Sequence, residues 1–194
     1  SLTQLVNDPL QAQRMVASAQ IAAKDNPAAR ATYRDMLRAN VKYLPAYIGL
    51  IDIEMRDGRF DDALRVARDA AVVQPDQPVT DILSGDIYLR ARRPDDAAKS
   101  FEAAFTRAPS TDLALRLFSA QRAAGKTDAA YQHLGGWVAK NADDRRAHHL
   151  LASSYLTDDR LDDAMREYEK LLAAEPKNVG VLNNLAWIYQ QKQN

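Results

Sequence analysis

The stretch Arg145–Asn178 reads RRAHHLLASSYLTDDRLDDAMREYEKLLAAEPKN. One apolar periodicity runs through Leu151 and Tyr155, and a second begins at Ala164 and ends before Pro176. This pattern predicts two short amphipathic helices, with a small residue at their contact and a proline after the second. A larger side chain at Ala164 would push the two helices apart, so we expect this alanine to be buried.

The same alanine recurs along the chain at a nearly fixed interval. Candidates for this helix-contact position are Ala29, Ala63, Ala97, Ala130 and Ala164. Their spacings are 34, 34, 33 and 34 residues. A fixed period of this length is typical of a solenoid, in which each repeat packs only against its neighbours. We therefore predict an all-α fold, a right-handed superhelical α-solenoid of helix-turn-helix repeats with about eleven helices.

The repeat boundaries follow from this register. We place repeats at approximately 10–43, 44–77, 78–110, 111–144 and 145–178, with a partial repeat at 179–194, in a single solenoid over 1–194. Leu2 and Leu5 resemble the end of an earlier second helix. Because both ends look cut within a repeat, we interpret the chain as part of a longer solenoid. We then expect end residues such as Leu185 and Tyr189 to be exposed and to favour self-association.

The fourth repeat departs from the pattern of the others. Gly125 comes one residue early, and the sequence leaves open whether a residue is lost before the first helix or in its turn. Trp137 stands where the other repeats favour a small residue, and Ala142 where they favour proline. Gly135 and Gly136 lie in the second helix, where each costs about 1 kcal/mol relative to alanine. We interpret these glycines as making room for Trp137, and a hinge is the alternative.

The repeats resemble the tetratricopeptide family across nearly the whole chain, with five recurrences of its pattern. The resemblance implies that first helices line a concave face and that second helices form the convex face. Some members of that family clamp a C-terminal carboxylate with a lysine and paired asparagines in fixed register. Only Asn183 and Asn184 match that motif here, so the resemblance does not imply a receptor for chaperone tails.

The register of the first helices gives a predicted partner-binding set on the concave face. Mixed charge and one aromatic side chain suit a peptide or a protein helix as the partner. An alternative for Asp52–Arg56 and Asp86–Arg90 is that each pair supports its own helix, by about 0.2–0.5 kcal/mol. For Trp187 the alternative is packing against a further second helix. The predicted set is Asp52, Arg56, Asp86, Arg90, Arg122, Arg146, His149, Asn183 and Trp187.

Composition argues against several other classes of function. Lys plus Arg and Asp plus Glu number 26 each, so the net charge favours neither nucleic acid nor an anionic membrane surface. No run of apolar residues is long enough to enter a bilayer, so we predict no membrane insertion. The sequence has no cysteine, and thus no disulfide and no thiolate metal site.

Catalytic chemistry has few candidate residues. The three histidines are His133, His148 and His149, and the adjacent pair would point about 100° apart on a helix rather than converge on a metal. No glycine-rich phosphate loop, HExxH or GxSxG motif is present. We therefore predict no catalytic residues, no metal site and no cofactor, and a protein that is not an enzyme.

A narrower resemblance concerns three short segments. Tyr43–Tyr47, Ser84–Leu89 and Val181–Tyr189 look like parts of the long tetratricopeptide lipoproteins of bacterial exopolysaccharide and PEP-CTERM/exosortase systems. Those proteins are exported and anchored through an N-terminal cysteine, which has no counterpart among these residues. The resemblance implies a scaffold at the periplasmic face of the bacterial cell envelope. Two alternatives are a cytoplasmic adaptor or regulator and the regulatory repeat region of a larger enzyme, such as a glycosyltransferase.

Overall fold

The computed structural model describes residues 8–193, which form eleven α-helices and no β-strand. The predicted all-α fold of helical repeats is confirmed, and Leu2 and Leu5 lie outside the described residues. Odd-numbered helices are the first helices of their repeats, and even-numbered helices are the second. The helices are α1 (Pro9–Ala22), α2 (Asn26–Ala39), α3 (Leu44–Arg56), α4 (Phe60–Val73), α5 (Pro78–Arg90), α6 (Pro94–Arg107), α7 (Thr111–Ala123), α8 (Thr127–Lys140), α9 (Arg145–Thr157), α10 (Leu161–Ala174) and α11 (Val179–Gln193).

The turns inside the repeats share one backbone conformation. Each turn has three residues, and the second of them has a positive φ between 57° and 74°. Glycine takes this left-handed conformation without steric cost, whereas other residues lose about 1–2 kcal/mol. Only two of the five turns have glycine at this position, so only these two can be recognised from the sequence. The residues at this position are Lys24, Gly58, Arg92, Gly125 and Asp159.

The linkers between repeats locate the missing residue of the fourth repeat. Four residues separate a second helix from the next first helix at each junction except one. Only residues 108–110 separate α6 from α7, while the turn between α7 and α8 has the usual three residues. The residue is therefore lost before the first helix, and the turn is intact.

The contact alanines are all buried, as predicted, with none of their surface exposed to solvent. A glycine performs the same role within the third repeat, where a Cβ at Gly85 would lie 2.5 Å from the ring of Phe101. These small residues allow the paired helices to approach closely, and larger residues on the same stripe fill the remaining space. The fully buried members of the core include Met36, Ile53, Phe101, Leu134 and Tyr168.

The chain divides into two compact units, one ending at Ala104 and the other beginning at Phe105. In the first unit, Tyr33 and Met36 of α2 pack with Leu50 of α3 in one apolar cluster. In the second unit, Phe118 of α7 and Tyr131 of α8 belong to a cluster that extends to α9. Each unit therefore has a core of its own, built from side chains of consecutive helices.

Two expectations about particular residues are wrong. Leu185 is only 4% exposed because it packs with Tyr168 and Leu171 of α10, although Tyr189 is 46% exposed as expected. Gly135 of α8 does not make room for Trp137, since a Cβ there would have no neighbour within 4 Å. A Cβ at Gly136 would likewise meet nothing within 4 Å beyond the two residues adjacent to it in the chain.

Candidate partner-binding surface

The predicted partner-binding residues of the first unit lie on α3 and α5. Arg56 is exposed and Asp52 is half-buried, and the two form a salt bridge of 2.8 Å one helical turn apart, as the alternative interpretation of this pair proposes. Arg90 is exposed at the end of α5, and Asp86 is half-buried on the same helix. The pair on α3 therefore stabilises its own helix modestly, and both of its charges remain accessible to a partner.

Arg122 is held inside the second unit by the turn that follows α9. Its Nη2 donates a hydrogen bond of 2.7 Å to Asp158, and the Tyr131 hydroxyl donates one of 2.8 Å to the same carboxylate. The bonds from Arg122 and Tyr131 lower the pKa of Asp158 to about 2. Arg122 is thus already paired with a carboxylate of the next repeat, and this pairing reduces what it offers to a partner.

The other predicted residues of the second unit are more accessible. Arg146 on α9 forms a 2.9 Å salt bridge with Asp112 on α7, and both side chains are about two-thirds exposed. His149 is half-buried on α9. On α11, Asn183 is exposed and Trp187 is 45% exposed. We call Arg146, His149, Asn183 and Trp187 the first-helix face of this unit.

Sequence reasoning missed a buried polar pair beside that face. His148 Nδ1 lies 2.6 Å from a carboxylate oxygen of Glu167, and Lys170 donates a 2.7 Å hydrogen bond to the other oxygen. Burial of a charged group requires partners of this kind. His148 is therefore committed to the interior, away from His149. Within residues 8–193, no group of three or more His, Cys, Asp or Glu side chains is placed to hold a metal ion.

Comparison with known proteins identifies the repeats. A family profile described as "Tetratricopeptide repeat" matches residues 14–78, and a second profile with the same description matches residues 146–178. The chain belongs to the tetratricopeptide repeat family. No curated protein has a sequence that matches this tetratricopeptide chain significantly. Among the described residues, no helix has the length and apolar character required to cross a membrane.

Solved structures of other tetratricopeptide proteins resemble this fold. A structure of MamA has a TM-score of 0.63 and 17% identity, covering 85% of this chain and 97% of that one. A thermophilic tetratricopeptide protein of Thermus thermophilus has a TM-score of 0.56 and 20% identity, covering 93% and 99%. YrrB, described as having an unusual peptide-binding site, has a TM-score of 0.59 and 14% identity, covering 86% and 87%. At these identities the likeness shows the fold alone.

Proposed function

We propose that this protein is a non-enzymatic scaffold that binds a protein or peptide through its first helices. The observation that carries the proposal is Trp187, whose indole is nearly half exposed on α11. A tryptophan offers a large, rigid contact area with one polar N–H, and such residues dominate the energetics of many interfaces. The fold supports the same proposal, since YrrB shares it and is described as having a peptide-binding site.

The polar residues of the first-helix face favour a peptide with mixed polarity. Asn183 lies one helical turn before Trp187, and its side-chain amide can donate to and accept from a peptide backbone. Arg146 supplies a cation whose exposed salt bridge to Asp112 costs little to exchange for a partner's carboxylate. The first-helix face therefore combines an apolar anchor point with groups that fix the direction of a bound chain.

Selection from a displayed library of random peptides tests this proposal. The wild-type protein should enrich peptides that bind the first-helix face, and Trp187→Ala should weaken the binding of this class by about tenfold or more, which corresponds to 1.4 kcal/mol. Tyr189→Ala is the matched control, because it removes another exposed aromatic of α11 that the first-helix face does not include. The proposed face would be contradicted if every enriched peptide bound Trp187→Ala as tightly as wild type.

The cellular system is a finer proposal that rests on the three short segments named above. We propose that the scaffold serves bacterial exopolysaccharide export or PEP-CTERM protein sorting. A cytoplasmic adaptor and the repeat region of a larger enzyme are the alternatives. The full reading frame and its neighbouring genes separate them. Exosortase or polysaccharide-export genes nearby support the proposal, whereas a fused DNA-binding or catalytic domain contradicts it.

A further inference from the structure

A second surface of the unit that begins at Phe105 is a pocket on the second helices. Its volume is about 550 Å³. It lies between the end of α6, the shortened linker 108–110 and the second half of α8, so it uses none of the predicted partner-binding residues. We call it the Trp137 pocket. Its lining residues are Phe105, Pro109, Gln132, His133, Gly136, Trp137 and Lys140.

The Trp137 ring is held in place on two sides. Phe105 packs edge-on against it, with ring centroids 5.5 Å apart and planes at 70°. The indole N–H donates a 2.6 Å hydrogen bond to Asp144, which also accepts from the hydroxyl of Thr111 and the backbone N–H of Ala147. An aromatic wall fixed in this way loses little conformational entropy when a ligand binds.

The departures of the fourth repeat from the pattern meet at this pocket. The linker that lacks one residue contributes Pro109, and the large residue at a usually small position contributes Trp137. Gly136, which costs its helix about 1 kcal/mol relative to alanine, leaves open the space that a side chain would occupy. Three departures from the repeat pattern therefore build one concave apolar surface, and a site where local rules are broken together is a candidate for function.

The charges around the pocket define what it would bind. Lys140 is exposed and forms no hydrogen bond or ion pair with any described residue, and none of the lining side chains is acidic. Asp143 borders an adjoining groove but does not pair with Lys140, and Asp144 is already shared by three donors. The exposed amide of Gln132 likewise has no hydrogen-bond partner among the described residues and can bond a peptide backbone. An apolar group followed by a carboxylate complements this arrangement.

We propose that the Trp137 pocket is a second binding site, which takes an acidic peptide segment with an aromatic or branched aliphatic anchor. The anchor enters between Phe105, Trp137 and Gly136, and a nearby carboxylate pairs with Lys140. The site is separate from the first-helix face, so the protein can hold two segments, or two parts of one partner, at once. Joining two such contacts raises the apparent affinity without any new interaction.

The same displayed peptide library tests the pocket with two variants and two matched controls. Gly136→Leu should fill the pocket without disturbing the fold, because a Cβ there meets no atom within 4 Å outside the two adjacent residues. Gly135→Leu is its control, since it gives a similar gain in helix propensity next to the pocket but outside its lining. Lys140→Glu reverses the charge at the pocket, and Lys177→Glu makes the same change on an exposed linker. Thermal unfolding followed by circular dichroism checks that all four variants are folded.

We expect a class of enriched peptides with an acidic residue near an aromatic or branched aliphatic one. Gly136→Leu and Lys140→Glu should each weaken their binding by about tenfold or more, and the controls by less than about twofold. In the background Trp187→Phe, Trp137 is the only tryptophan, so these peptides should change its fluorescence in a saturable way. Trp187→Ala should leave their affinity unchanged, which separates this site from the first-helix face.

Three results would overturn the proposal. The first is that every enriched peptide binds Gly136→Leu as tightly as Gly135→Leu, even when Trp187→Ala abolishes binding at the first-helix face. The second is that peptides lost on Gly136→Leu carry no acidic residue or ignore Lys140→Glu. The third is concentration-dependent self-association that Gly136→Leu abolishes, which would assign the pocket to a second copy of the chain.

Discussion

Two junctions between repeats use the same positions for different chemistry. One joins the first and second repeats, and the other joins the fourth and fifth. The fifth residue of the preceding second helix is Arg30 in one and Tyr131 in the other. In the first junction, Arg30 donates to Glu54 at 3.0 Å and also pairs with Asp57. In the second, Tyr131 donates its hydroxyl to Asp158, which is the equivalent of Asp57.

The remaining positions of the two junctions differ in the same way. The position of Glu54 in the first junction is occupied by Tyr155 in the second. The Tyr155 ring stacks on Tyr131 with centroids 4.3 Å apart and planes at 9°. Arg59 donates to Glu54 at 2.6 Å, whereas Arg160 lies over both tyrosine rings, 4.5 Å and 4.8 Å from their centroids. One junction is thus a charged cluster and the other an aromatic stack with a cation above it. The repeat specifies where side chains meet and leaves their chemistry free.

Removal of the aromatic stack should have the largest effect on stability. Tyr131→Ala deletes a buried ring that touches Phe118, Tyr155 and Asp158, and should lower the free energy of unfolding by about 3–5 kcal/mol. Tyr189→Ala, at a half-exposed ring, should cost less than about 1 kcal/mol. Urea denaturation measures both. Similar losses for the two variants would mean that the stack does not hold the junction together.

Disruption of the charged cluster should cost less than loss of the stack. Glu54→Gln keeps the shape of a side chain that is only 4% exposed but weakens its bonds to Arg30 and Arg59, and should lower the unfolding free energy by about 1.5–3 kcal/mol. Asp52→Asn, in a more accessible pair on the same helix, should cost about 0.5 kcal/mol or less. Guanidinium is unsuitable because it screens charge, so urea is again the denaturant. Equal losses for Glu54 and Asp52 would refute the cluster's role.

Acid should weaken the aromatic junction through Asp158. Its pKa is lowered to about 2, first by the hydrogen bond from Arg122, whereas the usual value is 3.8. A carboxyl with a lowered folded pKa contributes stability above its unfolded pKa, and that contribution disappears as the pH falls through the folded pKa. Between about pH 4 and pH 2, wild type should therefore lose more unfolding free energy than Asp158→Asn. Parallel pH profiles for the two proteins would contradict this assignment.

The turns of the two junctions should show the smallest effects, with opposite signs. Gly58 and Asp159 hold the equivalent left-handed position, with φ of 71° and 57°. Gly58→Ala should lower the unfolding free energy by about 1 kcal/mol, and Asp159→Gly should raise it by up to about 1 kcal/mol. The measurement is the denaturation midpoint at a constant slope. A loss of stability in Asp159→Gly would show that the aspartate side chain compensates for its backbone strain.

The period of the sequence predicts most of this fold, and the reason is physical. Ala63 and Ala164 recur because helix contacts tolerate no larger side chain, so size alone reveals the register. Left-handed turns are predictable at Gly58 and Gly125, where glycine signals them, but nothing in the sequence marks Lys24, Arg92 or Asp159. The 33-residue spacing could not locate the shortened linker, because a loss before α7 or after it produces the same interval.

The candidate surface was less predictable than the fold. Register places Arg122 on a first helix but does not reveal that Asp158, 36 residues later, pairs with it. For the same reason the sequence gives no sign that His148 is committed to Glu167. Trp137 was recognised as an exception to the repeat, whereas the pocket around it depends on where the linker and Gly136 lie in space. In each of these cases the surroundings of the side chain depend on residues far away in the sequence, which the register of one helix does not reveal.

The most direct test of the scaffold function is an NMR titration with a peptide enriched by the wild-type protein. The two tryptophans give two indole N–H signals, and that of Trp137 is identified by its hydrogen bond to Asp144. For a peptide whose binding requires Trp187, we predict saturable shifts of the Trp187 indole and the Asn183 side-chain amide. The Trp137 signal should stay in place. Binding of such a peptide without a shift of Trp187 or Asn183, or failure to enrich any peptide that requires Trp187, would contradict recognition through the first helices.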